Sequence, residues 1–375
     1  MFSSIFLFIS CVYFNTFYNA KVAYKDAQRI INLMDYTETS LPPEAKRLLD
    51  LSIANSRVVL EKYSKSKYVE EAYYLLASST FLKEDYISSK EYLNTLIENY
   101  PNGKYFNEAN LRLAFIDVRK DSPLSADSII QNLKTNYTLN KYETYLLNMI
   151  DAEIYIINND IELAYDSYNN AIKSATNDSQ RIKIYNKLIQ ISEKEKDYGN
   201  LLIFIDELYK NLSLDSDKKE IKLLSIEYNK RLKKYDYLII QIQDMLNQSL
   251  FEDKRLFLSV ELAKAYFHLG DYLVAEELLL ELVDLYSKKN ETAEAYYYLA
   301  KITIKNDFNL EIIKELLTKS KTERSNSKYG KLSKALIKKL EALEDITYEY
   351  TNSISEEMLD DKKLSSDSLL FDMGQ

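Results

Sequence analysis

The sequence has few of the residues on which tight turns, disulfides and metal sites depend. Its 375 residues include 5 glycines, 4 prolines, one cysteine, one histidine and no tryptophan. Scarce glycine and proline disfavour β-hairpins and other compact turns. A single cysteine excludes an intramolecular disulfide, and the cysteine–histidine spacings of zinc sites are absent. We therefore expect an all-α chain that needs no metal and no cofactor.

The residues of common catalytic sites are also missing. Nucleophilic triads need a histidine beside a serine or cysteine, and the only histidine, His268, lies at the end of a predicted helix. Five scattered glycines cannot form a glycine-rich phosphate loop. The net charge of −9 disfavours a nucleic-acid scaffold, which needs a basic face. We expect a non-catalytic protein that binds no nucleic acid.

What the sequence does contain is a repeat of about 37 residues. The clearest unit is EEAYYLLASSTFLKEDYISSKEYLNTLIENYP, in which a small residue, Ala77, marks the close crossing of two helices. Matching turns recur at Asp85, Ser122, Asp160, Asp197, Asp236, Asp271 and Asp307. This pattern of paired helices, A and B, is typical of tetratricopeptide (TPR) repeats. It predicts an all-α TPR superhelical solenoid over residues 11–345, with about seven to eight helix pairs of which the central ones are degenerate.

Function in such a solenoid is expected on the concave face that the A helices form, where extended peptides bind. Counting back from each turn gives candidate groove residues, most of them apolar or aromatic: Tyr74, Ser78, Phe81, Leu111, Phe115, Val260 and Phe267. The alternative for each residue is packing between neighbouring repeats. We expect the set to bind other polypeptides.

The two ends of the chain differ from the repeats. Residues 1–10, MFSSIFLFIS, place an apolar run and a small residue before Cys11, the order of a lipoprotein signal peptide with lipidation at Cys11. The alternative is an apolar N-terminus with an incidental cysteine. At the other end, residues 346–375 are acidic and are expected to form a disordered tail. That tail follows a basic segment, Lys314 to Glu341, of net charge +6.

The segment after Cys11, VYFNTFYNAK, resembles the mature start of bacterial TPR lipoproteins, which are similar to outer-membrane assembly lipoproteins of the BamD type. The resemblance implies a lipid anchor on Cys11, a location at the outer membrane facing the periplasm, and envelope proteins or extended peptides as partners. It also implies a scaffold role in outer-membrane β-barrel assembly. Two alternatives stay open: a peptidoglycan or Tol–Pal coordinating TPR protein of the envelope, and a soluble cytoplasmic TPR adaptor.

Overall fold

A computed structural model describes residues 2–32, 40–120 and 122–356, and their side chains between 15 and 347. These residues form seventeen α-helices and one 3₁₀ helix, and no strand occurs among them. The helices are α1 (Phe2–Asn32), α2 (Pro43–Lys62), α3 (Val69–Leu82), α4 (Tyr86–Asn99), α5 (Phe106–Arg119), α6 (Pro123–Asn136), α7 (Lys141–Ile157), α8 (Ile161–Ser174), α9 (Asp178–Lys194), α10 (Tyr198–Asn211), α11 (Asp215–Arg231), α12 (Tyr235–Leu246), α13 (Arg255–Leu269), α14 (Tyr272–Leu285), α15 (Asn290–Asn306), α16 (Leu310–Glu323) and α17 (Lys328–Glu356), with the 3₁₀ helix at Ser249–Lys254.

The helices from α3 to α16 alternate as A and B helices of seven repeats. The B helices begin after N-cap residues Asp85, Ser122, Asp160, Asp197, Lys234, Asp271 and Asn309, at spacings of 37 or 38 residues. The all-α TPR solenoid fold is therefore confirmed. Two predicted turn positions are two residues out of register with these N-caps: Asp236 lies inside the first turn of α12, and Asp307 lies in the turn between α15 and α16 as the C-cap of α15. The repeat is more regular in the structure than in the sequence.

The B helices share one buried stripe. The residues four and eight positions after each N-cap are 0–1 % exposed in all seven repeats. Because four and eight residues complete about one and two helical turns, these side chains form a single face that packs on the A helices. The first of the two sets contains small and branched residues alike: Ser89, Ala126, Ala164, Leu201, Leu238, Ala275 and Ile313. This stripe maintains the repeat where the sequence has diverged.

The turn between the A and B helices also has a common geometry. The residue before the N-cap has a positive φ angle in five repeats: Glu84, Asn159, Lys196, Lys233 and Gly270. Left-handed backbone is costly for residues with a Cβ atom, so glycine or asparagine is the usual choice. Three of these turns nevertheless carry Glu or Lys, and a sequence pattern that requires glycine there misses them.

The helices divide into two compact units, Met1–Ile221 and Lys222–Gln375. Unit 1 contains α1 to α10, and unit 2 contains α12 to α17; α11 spans the boundary. At the chain's end α17 continues to Glu356, so the first part of the predicted acidic tail is helical, while residues 357–375 lie outside the described residues. No helix among the described residues is long and apolar enough to cross a membrane.

Candidate functional site: a cavity lined by the A helices of unit 1

A cavity of about 680 Å³ lies in unit 1. Its lining residues come mainly from α1, α3, α5, α7 and α9, the A helices of successive helix pairs. The end of α1 also meets the start of α9, where the Ser179 hydroxyl donates a hydrogen bond of 3.4 Å to Asn32 Oδ1. Both residues adjoin or line the cavity. The A helices of unit 1 thus enclose a shared space, as expected for the concave side of a TPR solenoid.

The lining follows the repeat. The residue eleven positions before each B-helix N-cap lines the cavity in four consecutive repeats: Tyr74, Leu111, Met149 and Asn186. The position seven before the N-cap adds Phe115, Glu153 and Gln190. These offsets are separated by one helical turn, so they present one face of each A helix. The position of the cavity therefore follows from the fold, and each repeat contributes a different type of side chain to its lining.

Four of the predicted groove residues, Tyr74, Phe81, Leu111 and Phe115, line this cavity together. Ser78, which is fully buried, does not line it. Val260 and Phe267 belong to unit 2, where both are buried in a core cluster with Leu279 and Leu299. None of these last three residues lines the cavity of unit 1. They pack within the repeats, which is the alternative that the sequence left open.

Aromatic rings connect the A helices along one side of the cavity. The ring of Tyr74 stacks on Tyr105 at a centroid distance of 4.0 Å and meets Tyr24 edge-on at 6.4 Å. Phe81 meets Phe115 edge-on at 5.3 Å. Such pairs stabilise contacts by about 0.5–1.5 kcal/mol beyond their area burial. They also fix the rings, so the apolar side of the cavity is preorganised.

Arg112 is a lining residue that the sequence reading missed. Its side chain is buried, and its Nε and Nη2 donate hydrogen bonds of 3.1 and 2.7 Å to Glu108 Oε1. The Tyr74 hydroxyl donates to the same oxygen at 2.9 Å. The guanidinium lies 5.1 Å from the centre of the Phe81 ring and 5.9 Å from that of Tyr74. A buried cation is thus held by one carboxylate and two rings.

The tyrosines around Arg112 stay protonated at neutral pH. Burial raises the pKa of Tyr142 to about 12, although Arg112 acts in the opposite direction. Burial, with Tyr24 nearby, raises the pKa of Tyr74 well above its ordinary value. Neutral phenols do not offset the positive charge of Arg112, and they remain hydrogen-bond donors. The charged groups of the cavity are therefore its arginines, lysines and Glu153.

Unit 2 buries a comparable charged group, Lys264. Lys264 forms ion pairs with Glu261 at 2.5 Å and Glu294 at 2.6 Å, and Lys230 reaches Glu261 at 3.0 Å. His268 stacks on Tyr235 at 4.8 Å. Partial burial, together with the ammonium groups of Lys301 and Lys264, lowers the pKa of His268. Among the described side chains no group of histidine, cysteine or carboxylate residues could hold a metal ion.

No protein-family model matches the chain, and no curated protein matches it. Solved structures of similar fold include the C-terminal part of a TPR repeat-containing protein from Cytophaga hutchinsonii, at 14 % identity and a TM-score of 0.43, covering 68 % of this chain and 97 % of that one. A TPR protein from Parabacteroides merdae has 17 % identity and a TM-score of 0.33, covering 72 % and 97 %. Yeast Tom70 has 16 % identity and a TM-score of 0.38, covering 87 % and 65 %.

Proposed function

We propose that this protein is a non-catalytic scaffold that binds an extended polypeptide in the cavity of unit 1. The observation that carries this proposal is the shared register of the lining residues. Four consecutive A helices contribute the residue at the same offset, so the lining continues from repeat to repeat. A continuous lining suits a chain that extends across helices, with successive side chains meeting successive repeats.

The test replaces two aromatic lining residues, Tyr74→Ser together with Phe81→Ser. Photocrosslinking and pull-down from the native envelope should then recover less partner, because these rings form the preorganised side of the cavity. The matched control is Leu124→Ser, which removes an apolar side chain that is 86 % exposed on the B helix α6. Circular dichroism shows whether each variant stays helical. A folded cavity variant that recovers as much partner as the control would overturn the proposal.

We place the protein at the outer membrane, facing the periplasm and anchored by lipid on Cys11. The support is the order of residues in the sequence, an apolar run and Ser10 before Cys11, with the lipoprotein-like segment after it. The backbone at Cys11 belongs to α1, and its side chain lies outside the described side chains. One acyl chain gives only marginal membrane binding, so stable anchoring requires more than one.

Labelled palmitate should enter the wild-type protein and not Cys11→Ser, and the variant should leave the membrane fraction. Equal labelling of both proteins would refute lipidation at Cys11, and absence of label from both would favour a soluble cytoplasmic adaptor. Within the envelope we propose a role in β-barrel assembly. Co-purification of barrel-assembly components supports that role, whereas co-purification of peptidoglycan or Tol–Pal components supports the coordinating role instead.

A further inference from the structure

The cavity of unit 1 carries an excess of positive charge. Five charged side chains line it: Arg112, Arg119, Lys183, Lys187 and Glu153. Their sum is +3, in a protein whose net charge is −9. A local positive field inside an otherwise acidic chain selects for negative ligands and repels positive ones.

Two of these cations already have carboxylate partners. Lys187 pairs with Glu153 at 3.0 Å, and Arg112 pairs with Glu108 at 2.7 Å. Arg119 and Lys183 are exposed and form no ion pair within the described part of the chain. Arg119 lies over the Phe115 ring at 5.1 Å, which fixes its guanidinium at the cavity. Arg119 thus stands beside the aromatic lining and Lys183 lies on α9, and neither has an ion-pair partner among the residues that the structure describes.

The buried guanidinium of Arg112 adds a further donor. Both of its hydrogen bonds go to Glu108, through Nε and Nη2. Its Nη1 group donates no hydrogen bond to any residue that the structure describes. An acceptor from a ligand could take the hydrogen bond that Nη1 is free to donate. Arg112 is also a lining residue, so such an acceptor could approach it from the cavity.

The lining changes in character from one helix to the next. Helices α3 and α5 contribute the rings of Tyr74, Phe81 and Phe115, whereas α9 contributes Lys183 and the amides of Asn186 and Gln190. A ligand that matches both ends needs apolar or aromatic groups for the rings and carboxylates for the cations. An extended polypeptide with alternating acidic and apolar residues has this composition.

Resting on the function proposed above, we propose that the occupant of this cavity is an acidic polypeptide segment. Its apolar or aromatic side chains pack on the rings of α3 and α5, and its Asp or Glu carboxylates pair with Arg119 and Lys183. Because both cations are exposed, their contribution is sensitive to salt.

The test selects ligands without assuming a partner. Random peptides of about twelve residues are displayed on phage and selected on the full chain, and the enriched peptides are synthesised for fluorescence anisotropy. We expect enrichment of acidic residues spaced among apolar ones. Arg119→Gln with Lys183→Met should weaken binding roughly two- to twenty-five-fold, since each of the two exposed pairs contributes about 0.2–1 kcal/mol and 1.4 kcal/mol is tenfold. Raising the salt concentration should reproduce much of this loss.

The matched control neutralises two exposed lysines on B helices, Lys62→Met and Lys173→Met, which do not line the cavity. An equal loss in both charge variants would overturn the inference, because the effect would then follow net charge alone. Selected peptides that lack acidic enrichment but fail to bind Tyr74→Ser with Phe81→Ser would also overturn it, and would leave the proposed function intact. Peptides that still bind that aromatic variant would overturn the proposed function itself.

Discussion

Replacing Arg112 by methionine removes a buried cation while keeping most of its apolar stem. The change deletes two hydrogen bonds to Glu108 Oε1, at 3.1 and 2.7 Å, and the contacts with the Tyr74 and Phe81 rings. Breaking a buried ion pair by removing one partner costs roughly 3–5 kcal/mol. Glu108 keeps the Tyr74 hydroxyl at 2.9 Å as a donor, so part of that cost is avoided. We expect a loss of about 2–4 kcal/mol in the free energy of unfolding.

Urea unfolding followed by circular dichroism measures this loss, and hydrogen exchange of peptides from α3 to α7 shows whether it arises in unit 1. The matched control is Arg47→Met. Arg47 pairs with Glu44 within α2 at the same 2.7 Å, but both side chains are exposed. The control should unfold close to the wild type. If Arg112→Met and Arg47→Met had equal midpoints, the ion pair would not be buried as the structure describes.

A double-mutant cycle separates the pair from its surroundings. Glu108→Gln alone leaves the guanidinium without its counter-charge, so it should also be destabilising. With Arg112→Met in place, no buried cation remains, and the added cost of Glu108→Gln should be small. The two changes should therefore be non-additive by more than about 1 kcal/mol. Strict additivity would show that the two side chains do not interact.

Three further changes test other parts of the molecule. Ala77→Phe should lower the free energy of unfolding by about 1–3 kcal/mol because the site is fully buried, whereas Ala54→Phe on the exposed face of α2 should have little effect in the same urea experiment. Because the pKa of His268 is lowered in the folded state, the unfolded state binds a proton there more readily as the pH falls. The stability of the wild type should therefore fall modestly as the pH drops below about 6.5. In thermal melts, His268→Phe should lose this dependence of the melting temperature on pH. Residues 357–375 carry five acidic and two basic residues, so deleting them removes net negative charge. The deletion should therefore strengthen binding to anionic vesicles at low salt. Unchanged binding would mean that this segment contributes only to solubility. The lysines whose attraction to the vesicle the acidic tail would oppose are four exposed residues of α17, Lys331, Lys334, Lys338 and Lys339.

The helix pairs were predictable because their positions depend on the spacing of the apolar residues that become buried, and this spacing is visible in the sequence. The two misplaced turns have a specific cause. The other matching turns are marked mostly by Asp, a favoured N-cap, and the predicted turns at Asp236 and Asp307 follow that residue type. In the structure Lys234 occupies one N-cap without a side-chain hydrogen bond, and Asn309 occupies the other and accepts one from the Ile312 amide. Capping preference is a weaker constraint than the buried stripe of the B helix.

The cavity was predictable only in part. Counting back from the turns located Tyr74, Phe81, Leu111 and Phe115, because the sequence favours aromatic and apolar residues there. The same offsets in the next two repeats give Met149, Glu153, Asn186 and Gln190, which would have been found by applying the register without regard to residue type. Arg112 could not be found in this way. An arginine on a charged helix is usually solvated, and only the arrangement of Glu108 and the two rings shows that this one is buried.

The residues that pack the A and B helices together and the residues that line the cavity are under different constraints. Residues four and eight positions into each B helix must pack against the A helices, and all of them are buried whatever their type. The turns keep a left-handed residue even where it is Glu84, Lys196 or Lys233, so the stripe maintains the geometry against a local cost of about 1–2 kcal/mol. At the lining positions the residue type varies more freely, from Tyr74 and Leu111 through Met149 to the amide of Asn186 within four repeats. Partner preference can therefore change through the lining positions alone, without disturbing the helices that present them.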